Sequence, residues 1–118
     1  MANPNIVNVS TIYGKTALTN LTTVTGNIVT NSAASGIVDK LNNVILSNYT
    51  ANTVTANVMI NRSATTYYVG GNVSIPANST LVLLAKDTQL YLEEGDVLQA
   101  NASANTAVTI TASYEQIN

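Results

Sequence analysis

Few residues in this sequence could carry chemistry. There is no His and no Cys, which removes the commonest general base, the proton shuttle and the thiolate metal ligands together. Acid-base work falls to six carboxylates: Asp39, Asp87, Glu93, Glu94, Asp96 and Glu115. Three of them, Glu93, Glu94 and Asp96, surround Gly95 in one turn, and the chemistry such a cluster suggests is a weak Ca²⁺ site. Ca²⁺ takes about six to eight oxygens, so carbonyls or Asp87 would have to complete the shell. The plainer reading is a solvated turn, with Gly95 at the position that needs positive φ. A carboxylate pair for glycoside cleavage needs two acids facing each other across a groove with separated pKa values, and no spacing here provides that. Ser and Thr abound without a base to activate them. Gly70-Gly71 lacks the Lys and Ser/Thr of a phosphate loop. No catalytic residue, cofactor or enzymatic activity is expected.

Tyr is the only aromatic type, and Tyr67-Tyr68 stands beside the glycine pair. Adjacent strand residues point to opposite faces, so one of the two rings packs inward and the other outward. An outward Tyr can anchor a protein contact or stack on a sugar, because it buries a large ring and keeps a polar tip. Packing on the sheet is the competing reading.

The elements that must hold these residues are strands. Of the chain, 46% is hydrophobic and only 8% charged, against a norm of about 25% charged. Asn, Thr and Ser carry the polar share and Val, Ile and Leu the aliphatic share, and Thr, Val and Ile suit a pleated, half-buried surface. Residues Thr53 to Ile60 alternate cleanly, with Val54, Ala56, Val58 and Ile60 on one face. Ile37 to Ser47 is a strand or a bent pair, with Val44 and Leu46 opposite Ile45. Thr65 to Val69 and Asn72 to Ile75 read as a hairpin turning at Gly70-Gly71 and closed by Pro76, which cannot donate to a ladder. Ser79 to Ala85 is a continuous apolar run, as a strand covered on both faces would be. Gln89 to Leu92, Val97 to Ala102 and Thr106 to Tyr114 complete about eight strands. An all-β, antiparallel, jelly-roll-like sandwich follows for residues 36–118. Residues 1–35 are monotonous in Asn, Thr, Val and Ile, and read as an extended N-terminal arm or a first strand.

Charge scarcity bears on partners. A free-standing protein usually keeps a charged surface, whereas a neutral amide and hydroxyl surface loses little when desolvated against a neighbour. A very soluble or secreted β domain would share this composition, but interface cores are depleted of charge in the same way. Thr53 to Ile60 and Thr106 to Tyr114 contain no charge and no Pro. They read as sheet edges without gatekeepers, to be covered by the arm or by another subunit. Ile6, Val7, Val9 and Ile12 of the arm could pair with a neighbour by strand addition. Net charge is −2, and Lys15, Lys40, Arg62 and Lys86 are scattered, so no nucleic-acid partner is expected. Residues 1–9 lack a basic region followed by an apolar stretch, and the longest apolar run is Leu81 to Ala85. Neither a signal peptide nor a membrane span is expected. Asn-x-Ser/Thr triplets, as at Asn48, Asn72, Asn78 and Asn101, follow from composition.

Four stretches, together with the opening Met1-Ala2-Asn3-Pro4-Asn5-Ile6-Val7, carry a resemblance. They are Ser35 to Asn42, Ile75 to Leu81, Lys86-Asp87-Thr88 with Tyr91 to Asp96, and Ser113-Tyr114-Glu115. Across most of its length the chain resembles small virion-associated proteins of marine tailed phages, cyanophages especially. It departs from them in the first hairpin, where Asn48 to Asn52 replaces an Asp-Gly-type turn. The resemblance implies a virion protein made in the host cytoplasm. The roles to be tested are a capsid decoration or cement protein, homo-oligomeric with a trimer favoured and bound to the major capsid protein; a neck, tail or fibre component; and a carbohydrate-binding module using Tyr67 or Tyr68.

Overall fold

Wherever β-branched and other apolar residues recur at alternate positions, the chain is extended and paired. A computed structural model describes residues 10–118. Its strands are β1 (Ile12–Asn20), β2 (Gly26–Thr30), β3 (Val38–Asn48), β4 (Val54–Arg62), β5 (Thr65–Ile75), β6 (Ser79–Leu84), β7 (Leu90–Leu92), β8 (Val97–Ala102) and β9 (Val108–Ile117), with one 3₁₀ turn at Lys86–Thr88. They form two antiparallel sheets. One has the order β1-β9-β3-β6, with the short β7 pairing the other end of β3 beside β6; the second has the order β2-β8-β4-β5. Setting β7 aside, the first strand pairs with the last, the second with the second-last, and so inward to β4 with β5. That nested pairing is a jelly roll, with eight long strands in two Greek keys.

The inner faces interlock over one core. Leu41, Val44 and Leu46 of β3 and Val108, Ile110 and Ala112 of β9 meet Val54, Ala56 and Val58 of β4 and Leu98 and Ala100 of β8, all essentially buried. Burial alternates with a period of two over Val54 to Val58 of β4 and Val108 to Ala112 of β9, as expected, while Met59 is buried next to Val58. On β3 the alternation slips at Asn42, where the register against β9 shifts by one residue. This bulge bends the strand and lets Asp39 follow Leu41 onto the buried side.

Several expectations change. Gly70-Gly71 is not a turn: β5 continues through both glycines, with a register shift on either side of Gly70, so the two expected strands are one, and the reversal lies at Ser63-Ala64. Both turn residues take positive φ, 53° and 63°, which matches the twist of a tight hairpin. Gly70 is needed for space, since a Cβ there would lie 3.0 Å from both Leu83 Cδ1 and Val73 Cγ2. Pro76 does close β5, and Gly95 does take positive φ, 88°. The run Ser79 to Ala85 is not covered on both faces; β6 is an edge strand with Val82 exposed. Nor are the charge-free strands edges. Thr53 to Ile60 lies in β4, between β8 and β5, and Thr106 to Tyr114 lies in β9, between β1 and β3. Central strands need no guard because both ladders are occupied. The true edges are shorter, bulged or charged: five residues in β2 with a register shift, two shifts in β5, and Lys15 on β1. Within residues 1–35, β1 and β2 each add one strand to a sheet; Ile6, Val7 and Val9 lie outside the described residues, and Ile12 pairs with Ile117.

Candidate functional site

Among the described residues, the parts that could act on something are the two outer sheet faces and the end of the sandwich that holds the acidic turn. The faces follow from register. On the first sheet Leu18 of β1, Thr111 of β9, Ile45 of β3 and Val82 of β6 are directly opposite one another, one aliphatic and hydroxyl row across four strands. Leu18 is 67% exposed and Val82 55%. The next row, Asn20, Thr109, Ser47 and Thr80, is uncharged, with Thr109 Oγ1 donating to Asn20 Oδ1 at 2.8 Å. The cross-strand neighbours Lys40 and Glu115 oppose each other's charge at 3.7 Å.

The second sheet presents amides. Asn57 Nδ2 donates to Asn101 Oδ1 at 2.9 Å, Asn101 Nδ2 donates to Thr25 Oγ1 at 2.8 Å, and the Asn72 N–H donates to Asn57 Oδ1 at 2.7 Å. Beside this ladder runs the row Asn27, Gln99, Met59 and Tyr68, in which Gln99 Nε2 donates to Asn27 Oδ1 at 2.9 Å. Tyr68 is therefore the outward ring of the tyrosine pair. Tyr67 is opposite Ile60, whose other neighbour is the buried Leu98, so it belongs to the inner-face register. It stays largely exposed because it lies near the end of the sandwich.

At that end Glu93, Glu94 and Asp96 are brought together, but around Arg62. Asp96, 1% exposed, accepts from Arg62 Nε at 2.7 Å and Nη2 at 2.6 Å, and its Oδ2 also accepts the Glu93 N–H at 2.8 Å. Glu93 Oε2 lies 3.1 Å from Nη2. Glu94 Oε2 accepts the Gly36 N–H. The hydrogen bonds to Asp96, with its charge and that of Glu93 overcoming partial burial, raise the Arg62 pKa above its ordinary value. A cation at this turn would have to displace Arg62, and the described residues contain no cluster of three or more acidic side chains arranged for a metal. Asn31, which sequence reasoning did not single out, completes the frame by donating to the Ile37 and Leu92 carbonyls, both at 2.9 Å. At the opposite end Asn48 does the same for the Asn52 and Ile75 carbonyls. Asparagines buried among loop ends give no signal in a sequence this rich in Asn.

A second buried acid has no such partner. Asp39 is 2% exposed, sits between Gln116 and Leu92 in the first sheet, and its Oδ1 has no hydrogen-bond partner among the described residues. Burial lifts its pKa to about 6, against a smaller lowering by Lys15. Burial, with the charge of Asp39, raises Tyr114 in turn. No helix of the described residues is long and apolar enough to cross a membrane.

No protein-family model matches the chain, and no curated protein matches it. Solved structures do. A chain in the acidic stable capsid structure of Helicobacter pylori bacteriophage KHP30 superposes with a TM-score of 0.58 at 13% identity, over 94% of this chain and 90% of that one. A pentameric capsid protein from metagenomic phage sequences gives 0.45 at 20% identity, over 86% and 60%. The first likeness shows that the two chains share a fold along nearly their whole lengths; the second is too distant to argue from.

Proposed function

We propose that this chain is a structural subunit of a tailed-phage particle, and that it serves as a decoration or cement protein bound to the major capsid protein on the head. The observation that carries the reading is the end-to-end sharing of a jelly-roll fold with a chain of a phage capsid structure. The sequence resemblance to small virion proteins of marine tailed phages points the same way. Jelly rolls also build lectin domains, so fold alone does not choose among roles.

The surfaces favour assembly. The row Leu18, Thr111, Ile45 and Val82 offers a flat apolar strip, and its removal from water requires no ion to be stripped. This face is the one we assign to a neighbouring copy, giving a homo-oligomer, a trimer in the simplest case, that clamps adjacent capsid subunits. Residues 1–9, with Ile6, Val7 and Val9, supply a strand-forming segment that reaches across the joint.

Binding of the purified chain to particles depleted of it tests the proposal. Saturable occupancy at a fixed ratio to the major capsid protein, with a raised temperature of particle disruption, is expected. Occupancy of only a few copies confined to the neck or tail would move the protein there. Removing residues 1–9 while leaving β1 intact is expected to weaken occupancy; unchanged occupancy would end their part in the joint.

A further inference from the structure

We infer that the cleft between Tyr67 and Tyr91 is a binding site for a neutral oligosaccharide. The cleft opens between the two sheets and is lined by Ile60 and Arg62 of β4, Tyr67 of β5, and Leu90 and Tyr91 of β7. Its volume is about 320 Å³, inside the range of small-ligand clefts, which begins near 300 Å³. Tyr67 of the second sheet is 58% exposed and Tyr91 of the first 40%, so neither of these two lining residues is closed off from a ligand. Both stand on paired strands, and the sandwich rather than a loop sets their separation.

The chemistry of the lining selects the ligand class. Ile60 and Leu90 give an apolar floor, and a tyrosine ring gives an apolar face with a hydroxyl tip. A pyranose is the complement of that set, with C–H groups on one face and hydroxyls around the rim. Arg62 supplies a fixed donor: Nε and Nη2 are committed to Asp96 and Glu93, which leaves Nη1 to reach a ligand hydroxyl. Two carboxylates already balance its charge, so an anionic ligand gains little there. Arg62 also lines an adjoining cleft of about 310 Å³ with Ala33, Ser63 and Gly95.

The site does not depend on the assembly role, because it is tested on the isolated chain. Backbone and tyrosine-ring NMR signals would be followed while maltotriose, cellotriose, triacetylchitotriose and sialyllactose are added separately. At least one neutral trisaccharide is expected to saturate with a Kd of about 1 mM, moving signals of Ile60, Tyr67, Leu90 and Tyr91. Tyr67→Ala and Tyr91→Ala are each expected to weaken binding about fivefold or more, and Tyr68→Ala, on the outer face, to leave it unchanged. Three results would overturn the inference: no saturation by any neutral sugar at about 10 mM, saturation by sialyllactose alone, or equal loss in Tyr68→Ala. Shifts of the same signals with protein concentration and no sugar would also overturn it, giving the cleft to a second copy of the chain.

Discussion

The outer face of the β1-β9-β3-β6 sheet carries a row of aliphatic and hydroxyl side chains, whereas that of the β2-β8-β4-β5 sheet carries a hydrogen-bonded ladder of amides. The buried acids differ in parallel. Asp39 in the first sheet has an oxygen with no hydrogen-bond partner among the described residues, while Asp96, beside the second sheet's β8, is clamped by Arg62. Amides that satisfy one another along the sheet have little to offer a partner; exposed Leu18 and Val82 have surface still to bury. One sandwich thus joins an aliphatic and hydroxyl face to an amide face.

The largest expected effect lies at the clamp. Asp96→Ala strands the Glu93 N–H and frees the Arg62 fork, and should cost about 2–3 kcal/mol in denaturant unfolding. An equal loss from the Asp39→Ala change would erase the contrast between the two acids. Next, Leu18→Glu combined with Val82→Glu should weaken self-association about 30-fold in sedimentation experiments, and Asn27→Glu on the amide face should not. A reversed pattern would exchange the roles of the faces.

Asp39 yields a prediction of opposite sign. Its folded pKa of about 6 exceeds the ordinary 3.8, so between those values the folded chain keeps a proton that the unfolded chain has released. Stability therefore falls as pH rises from about 4 to about 6, and stays lower above that. Asp39→Asn removes the dependence, and should stabilise the fold by about 1–2 kcal/mol at pH 8 and by nothing near pH 4. Smallest is Asn57→Ala, which removes two ladder bonds at a half-buried position and should cost about 1 kcal/mol.

The strands and the sandwich were legible in the sequence, the contrast between its faces was not, and the misses have physical causes. The alternation of Val54, Ala56 and Val58 announced β4, because one face meets the core. Residues 12–30 showed little pattern because β1 is an edge strand most of whose residues remain exposed. The Gly70-Gly71 pair signalled a turn since positive φ is the usual reason for glycine, whereas Gly70 makes room for Leu83 and Val73. The real turn, Ser63-Ala64, holds both residues at positive φ without the Gly, Asn or Asp that usually marks such a turn. The acidic turn was visible as a cluster, but its partner Arg62 lies 34 residues away from Asp96, beyond the reach of local spacing. Separation along the chain also hid the Tyr67–Tyr91 cleft, since the fold and not local spacing brings β5 and β7 to one cleft.

The central claim, that the chain is a structural subunit of a phage particle, is tested most directly by quantitative mass spectrometry of particles purified through high-salt washes. The account predicts the chain in a constant ratio to the major capsid protein, at many copies per particle. Its absence from washed particles, with the protein recovered only in the soluble lysate, would contradict the account.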